Sequence, residues 1–115
     1  MTIKLKRAYD PPAAEDGKRY LVDRLWPRGI KKEDLRIEAW LKDLAPSNEL
    51  RKWSHHDPER WPEFQRRYRE ELKTKGELLD TLRAEAKRST ITLVYAARDE
   101  ERNNAVVLRE ILNRN

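Results

Sequence analysis

Arginine grips a carboxylate or phosphate through two parallel hydrogen bonds. In this chain arginines stand where two strand-like segments end. Asp23-Arg24-Leu25-Trp26-Pro27-Arg28-Gly29 follows Tyr20-Leu21-Val22, and Arg98-Asp99-Glu100-Glu101-Arg102-Asn103-Asn104 follows Thr90-Ile91-Thr92-Leu93-Val94-Tyr95. Ligands of open α/β sheets bind beyond the carboxyl ends of the strands. If the two strands are parallel neighbours, Arg24, Arg28 and Arg98 converge near a helix N-terminus, which would make an anion site. Trp26 and Tyr95 would then pack on the organic part of the ligand, with Asn103 as a further contact. The competing expectation is that each arginine is ion-paired at home, with Asp23 and Asp99 as the obvious partners.

Proton transfer has two candidates. Asp23 beside Arg24 could act as a general base tuned by burial, and His56 could act as acid or base at the site mouth. Metal chemistry is not expected. His55 and His56 are the only histidines, adjacent residues rarely chelate one ion, and there is no cysteine to complete a set. No cofactor is expected either: with only three glycines, the chain has no phosphate-cradling loop of the usual kind.

The elements that must position these groups show in the periodicity. Ile3 and Leu5 alternate with lysines as a strand that ends before Asp10-Pro11-Pro12. A second strand runs from Tyr20 to about Leu25. Ile37, Trp40, Leu41 and Leu44 fall at helical spacing and predict a helix ended by Pro46. Ser47 can cap a short helix carrying Leu50 and Trp53. Asp57-Pro58 is a helix start, followed by a stripe of Trp61, Phe64, Tyr68 and Leu72. Gly76 separates this from a helix with Leu78, Leu79, Leu82 and Ala86. Thr90–Tyr95 reads as a strand covered on both faces. A last helix is predicted from about Glu100 to Asn113. The expected fold is a single α/β domain over residues 1–115, Rossmann-like in style. Its central sheet is small and mainly parallel, with about three strands covered by four to six helices. The direction of the first strand relative to the second stays open.

The chain has 115 residues, of which 37% are apolar and 41% charged, so its core must rest on a few large side chains. Four Trp, four Tyr and one Phe supply that bulk. No signal peptide or run long enough to span a bilayer is visible, so a cytoplasmic protein without a membrane partner is expected. The net charge of +5 suits an anionic partner. An anionic small molecule, bound or turned over, is the leading expectation. Nucleic acid is the alternative, and a plain interaction module with ion-paired arginines is the third.

Three segments together resemble the YeaO-like branch of the bacterial family called domain of unknown function 488. They are Leu21–Gly29, His56-Asp57-Pro58-Glu59-Arg60-Trp61, and Leu93-Val94-Tyr95-Ala96-Ala97-Arg98-Asp99. Lys6-Arg7 with Tyr9-Asp10, and Leu50-Arg51-Lys52-Trp53, extend the resemblance over nearly the whole chain. It implies a fold and a shared site at Asp23, Arg24, Trp26, Arg28, Arg51, His56, Tyr95 and Arg98, but no activity. The polar position of the last motif is Asn103-Asn104 here. Thiol chemistry suggested by longer, cysteine-bearing relatives cannot carry over to a chain without cysteine.

Overall fold

The computed structural model describes residues 1–114. Its centre is β4 (Ile91–Tyr95), five residues with every side chain buried. Strand β1 (Ile3–Arg7) pairs with it in parallel on one side, Leu5 opposite Leu93. Strand β2 (Lys18–Leu21) pairs in parallel on the other, Tyr20 opposite Leu93. The two early strands therefore run the same way without touching, because β4 lies between them. A short β3 (Ala39–Trp40) extends β2, giving the order β1-β4-β2-β3.

β3 replaces the helix predicted over residues 37–44. The apolar spacing there fits a helix, but the backbone finds better partners in β2. The Glu38 amide donates to the Arg19 carbonyl at 2.6 Å and the Leu41 amide to the Leu21 carbonyl at 2.8 Å. What remains helical is a single turn, α1 (Lys32–Leu35), and a 3-10 turn at Lys42–Leu44. Tertiary pairing has overridden local preference.

Between β3 and β4 come α2 (Asn48–Ser54), α3 (Trp61–Leu72) and α4 (Gly76–Arg88), and α5 (Asn104–Asn113) follows β4. Their inward residues Phe64, Tyr68, Leu72, Leu82, Leu108 and Leu112 cover Tyr20, Ile91, Leu93 and Tyr95 on one face of the sheet. Each fully buried leucine contributes roughly 1.5–3 kcal/mol. α5 starts later than expected, at Asn104. The Asn103 side chain caps it by accepting the Val106 amide at 3.0 Å, which leaves residues 96–103 as a loop.

The opposite face has only a thin cover. Ala8, Leu21 and Val94 pack under Leu35, with Trp26 and Trp40 beside them. Farther along the same face the contacts turn polar. Asp16 accepts from Arg19 at 2.7 Å, from Lys6 at 3.2 Å and from the Ala13 amide at 3.0 Å. Thr92 donates its hydroxyl to the Asp16 carbonyl at 2.7 Å, fastening the loop to β4. Gly17 lets the loop approach this closely. Its φ is +64°, and a Cβ there would lie 2.1 Å from the Thr90 carbonyl oxygen. Among the described residues, no helix is long and apolar enough to cross a membrane.

Candidate functional site

The loops leaving β1, β2 and β4 meet the starts of α3 and α5 around a cleft of about 440 Å³. It lies beyond the carboxyl ends of the strands, where an open parallel sheet leaves room for a ligand. Asp23, Arg24, Trp26, Arg28, Arg51, His56 and Asn103 all line it.

Arg24 reaches across the cleft wall and donates its Nε to the Pro46 carbonyl at 3.1 Å and an Nη to the Ala45 carbonyl at 3.3 Å. These neutral acceptors fix the guanidinium without cancelling its charge. Arg51 is carried by α2, whose start is secured by the Ser47 hydroxyl accepting the Leu50 amide at 3.1 Å. Its Nε is buried and has no hydrogen-bond partner among the described residues. Arg28 is exposed, and its carbonyl accepts the Tyr9 hydroxyl at 3.0 Å, tying the β2 loop to the β1 loop. No ion pair among the described residues joins Arg24, Arg28 or Arg51 to a carboxylate within 4.0 Å, whereas Arg60, Arg66, Arg67, Arg69, Arg83, Arg88 and Arg102 each have one.

Asp23 is not the partner of Arg24. Its carboxylate turns to β4 and accepts the Ala96 amide at 2.9 Å. Burial raises its pKa above the usual carboxylate range, against the opposing pull of the Ala96 amide, the Asn104 side chain and His56. His56 is exposed at the rim. It and His55 hold left-handed backbone, with φ of 57° and 46°, conformations uncommon for residues other than glycine. The turn they make ends α2 and leads into Asp57-Pro58, where the Asp57 carboxylate accepts the Glu59 amide at 3.0 Å. Asp99 is spoken for by the Glu101 and Arg102 amides and by the Arg102 guanidinium at 2.8 Å, which holds its pKa down at about 2.

Two expected contacts take other places, and a third divides its contacts. Arg98 is exposed and does not line the cleft. Tyr95 is 2% exposed and lies in the core under the helices, where burial raises the pKa of its phenol. Trp26 lines the cleft, but it also packs edge-on against Trp40 with ring centres 5.4 Å apart and donates its Nε1 to the Ile30 carbonyl at 2.7 Å.

Other lining residues were given no role at the site from the sequence. Trp61 and Phe64 read only as a core stripe, yet their rings, stacked 5.6 Å apart at 16°, form part of the wall. Tyr9, Arg102 and Asn104 also contribute. Asn104 donates its side-chain amide to the Val22 carbonyl at 2.8 Å, joining the start of α5 to the end of β2. The adjacency of the Asn pair to the last strand was the one available signal for it.

The site sits in a chain with clear relatives. An uncharacterised protein of Mycobacterium tuberculosis is 48% identical over 111 residues, covering 96% of this chain and 93% of that protein. A Mycobacterium bovis protein, also uncharacterised, matches to the same degree. The uncharacterised YeaO of Escherichia coli is 44% identical over 112 residues, 97% of each chain. No solved structure matches. A family described as the inactive DUF488-N3 subclade matches residues 2–115. With its fold and its strand-end motifs agreeing with that match, the chain belongs to the DUF488 family, in the subclade described as inactive.

Proposed function

We propose that the cleft binds a small organic anion carrying a phosphate or carboxylate, and that it does so without turning it over. The observation that carries this reading is Arg51. It lines the cleft, pairs with no carboxylate among the described residues, and keeps a buried Nε without a partner at a cost of roughly 1–3 kcal/mol. Arg24, anchored only to carbonyls, and Arg28 at the rim add positive charge in the same cleft. An anion entering there would meet partly buried donors, one of them already fixed by carbonyls, and could form charge-assisted hydrogen bonds with them.

Two features favour binding over catalysis. Asp23 is engaged with the Ala96 amide, and His56 stands exposed at the rim with no hydrogen bond to it. The family's description as inactive points the same way. The arginines on the outer face of α3 are occupied by Glu63 at 2.7 and 2.8 Å, which favours a small anion in the cleft over a nucleic-acid backbone on the helices.

The test is thermal unfolding in a panel of phosphate, aryl phosphates and carboxylates. A ligand at 100 times its Kd should stabilise the fold by about 2.7 kcal/mol. The rise should vanish in the Arg24→Ala, Arg51→Ala double variant and persist in Arg98→Ala. No shift with any anion would sink the proposal.

A further inference from the structure

The cleft carries unmatched charge of both signs. Arg24 and Arg51 line it with no ion pair to any carboxylate among the described residues. Asp23 lines it too. Three carboxylates line the cleft, and two of them have arginine partners: Asp57 has Arg60 at 3.9 Å and Asp99 has Arg102 at 2.8 Å. Asp23 has no lysine or arginine paired to it, although Arg24 is its neighbour in sequence. The Ala96 amide at 2.9 Å occupies Oδ2; the Asn104 side chain, which donates to the Val22 carbonyl at 2.8 Å, and His56 stand near the carboxylate without forming an ion pair with it among the described residues. The stacked Trp61 and Phe64 rings supply a flat apolar surface in the same cleft.

A half-buried carboxylate and a half-buried guanidinium that do not pair with each other are costly to maintain in one cavity. The cost is offset when one molecule answers both. We infer that the ligand of this cleft is bifunctional, with its anion on Arg24 and Arg51, an amine donating to Asp23, and an aromatic or apolar spacer against Trp61 and Phe64. This inference rests on the anion-binding reading and adds the second pole of the ligand. An amine delivered to Asp23 would also relieve the burial that raises the pKa of that group.

The experiment compares two aryl phosphates that differ only at the far end. O-phosphotyramine carries an aminoethyl group para to its phosphate ester, and 4-ethylphenyl phosphate carries an ethyl group there. Inorganic phosphate serves as the anion alone. Affinities are measured by calorimetry on the wild-type chain and on Asp23→Asn, which keeps an acceptor for the Ala96 amide and a nearly unchanged shape. The expected result is that wild type binds O-phosphotyramine at least tenfold more tightly than 4-ethylphenyl phosphate, and that this ratio collapses in Asp23→Asn. Equal affinity of the two compounds in wild type overturns the inference while leaving anion binding intact. A preference that survives in Asp23→Asn overturns the assignment of the amine to Asp23. If neither compound nor phosphate binds wild type, the anion reading fails and this one with it. The wild-type comparison decides the matter even if the variant does not fold.

Discussion

Arg19 is buried and Arg51 half-buried, and each has one buried guanidinium nitrogen without a partner among the described residues. Their surroundings differ. Arg19, on β2, has Asp16 at 2.7 Å and the Leu35 carbonyl at 3.0 Å, and Lys6 completes the cluster. Its charge is answered inside the chain, and the product is a fastened loop. Arg51 has no such answer, and neither do Arg24 and Arg28 beside it in the cleft. The same residue type stabilises the fold in one place and stands open in the other. The difference is whether a carboxylate was supplied with it. A charge left unanswered in the cleft costs stability, and it is there that we place the proposed anion.

The comparison can be broken most readily at Asp16. Asp16→Ala leaves Arg19 buried and uncompensated and should cost about 3–5 kcal/mol in urea unfolding. Burial alone would raise the Asp16 pKa, but the Ala13 amide, Lys6 and Arg19 outweigh it and hold the pKa below its ordinary value. A depressed folded pKa stabilises above the unfolded value and loses that effect as pH falls through the folded one. The penalty of Asp16→Ala should therefore be full at pH 7 and shrink steadily below about pH 4. A penalty under about 1 kcal/mol would mean the cluster is not a structural pair.

Arg51→Leu should move the other way. Removing an unpartnered buried donor while keeping the apolar stem should raise stability by about 1 kcal/mol without ligand. A loss as large as that of Asp16→Ala would make Arg51 structural like Arg19 and erase the contrast.

Asp23→Asn should be a little more stable than wild type at neutral pH, by about 0.5–1 kcal/mol. Burial raises the folded pKa of Asp23, so the wild-type carboxyl is neutral and unpenalised in acid and becomes costly as pH rises through its folded pKa. The advantage of the variant should accordingly vanish toward pH 3. A gap that stays constant with pH would show that charge is not its cause.

The smallest effect belongs to the outer face of α3. Arg66 is exposed and shares Glu63 with Arg67, at 2.7 and 2.8 Å. Arg66→Ala should leave the melting midpoint unchanged within error, because exposed ion pairs add little. A clear drop would put the helix surface among the arginines that matter.

Much of the fold was legible in the sequence. β4 announced itself by its apolar run, α3 by the Asp57-Pro58 start and the Phe64–Tyr68–Leu72 stripe, and the loops after β2 and β4 by the position of their arginines. Residues 37–44 were misread because Ile37, Trp40, Leu41 and Leu44 satisfy a helical period equally well, and only the β2 backbone decided between the two structures. Trp61 and Phe64 were legible as apolar but not as a cleft wall, since periodicity says which side of a helix is buried and not what it faces. Arg98 looked equivalent to Arg24 in sequence, and only the structure set it outside the cleft.

By itself the sequence determined which segments could be strands and helices, and which segments carried the guanidiniums and the lone histidine pair, because these follow from side-chain type and local period. It also determined membership in its family. Only the tertiary structure decided which arginines are answered. Asp16 lies three residues from Arg19 and meets it, while Asp23 lies one residue from Arg24 and turns instead to Ala96. Charge pairing depends on directions and distances set by sheet register and loop path, and adjacency along the chain fixes neither.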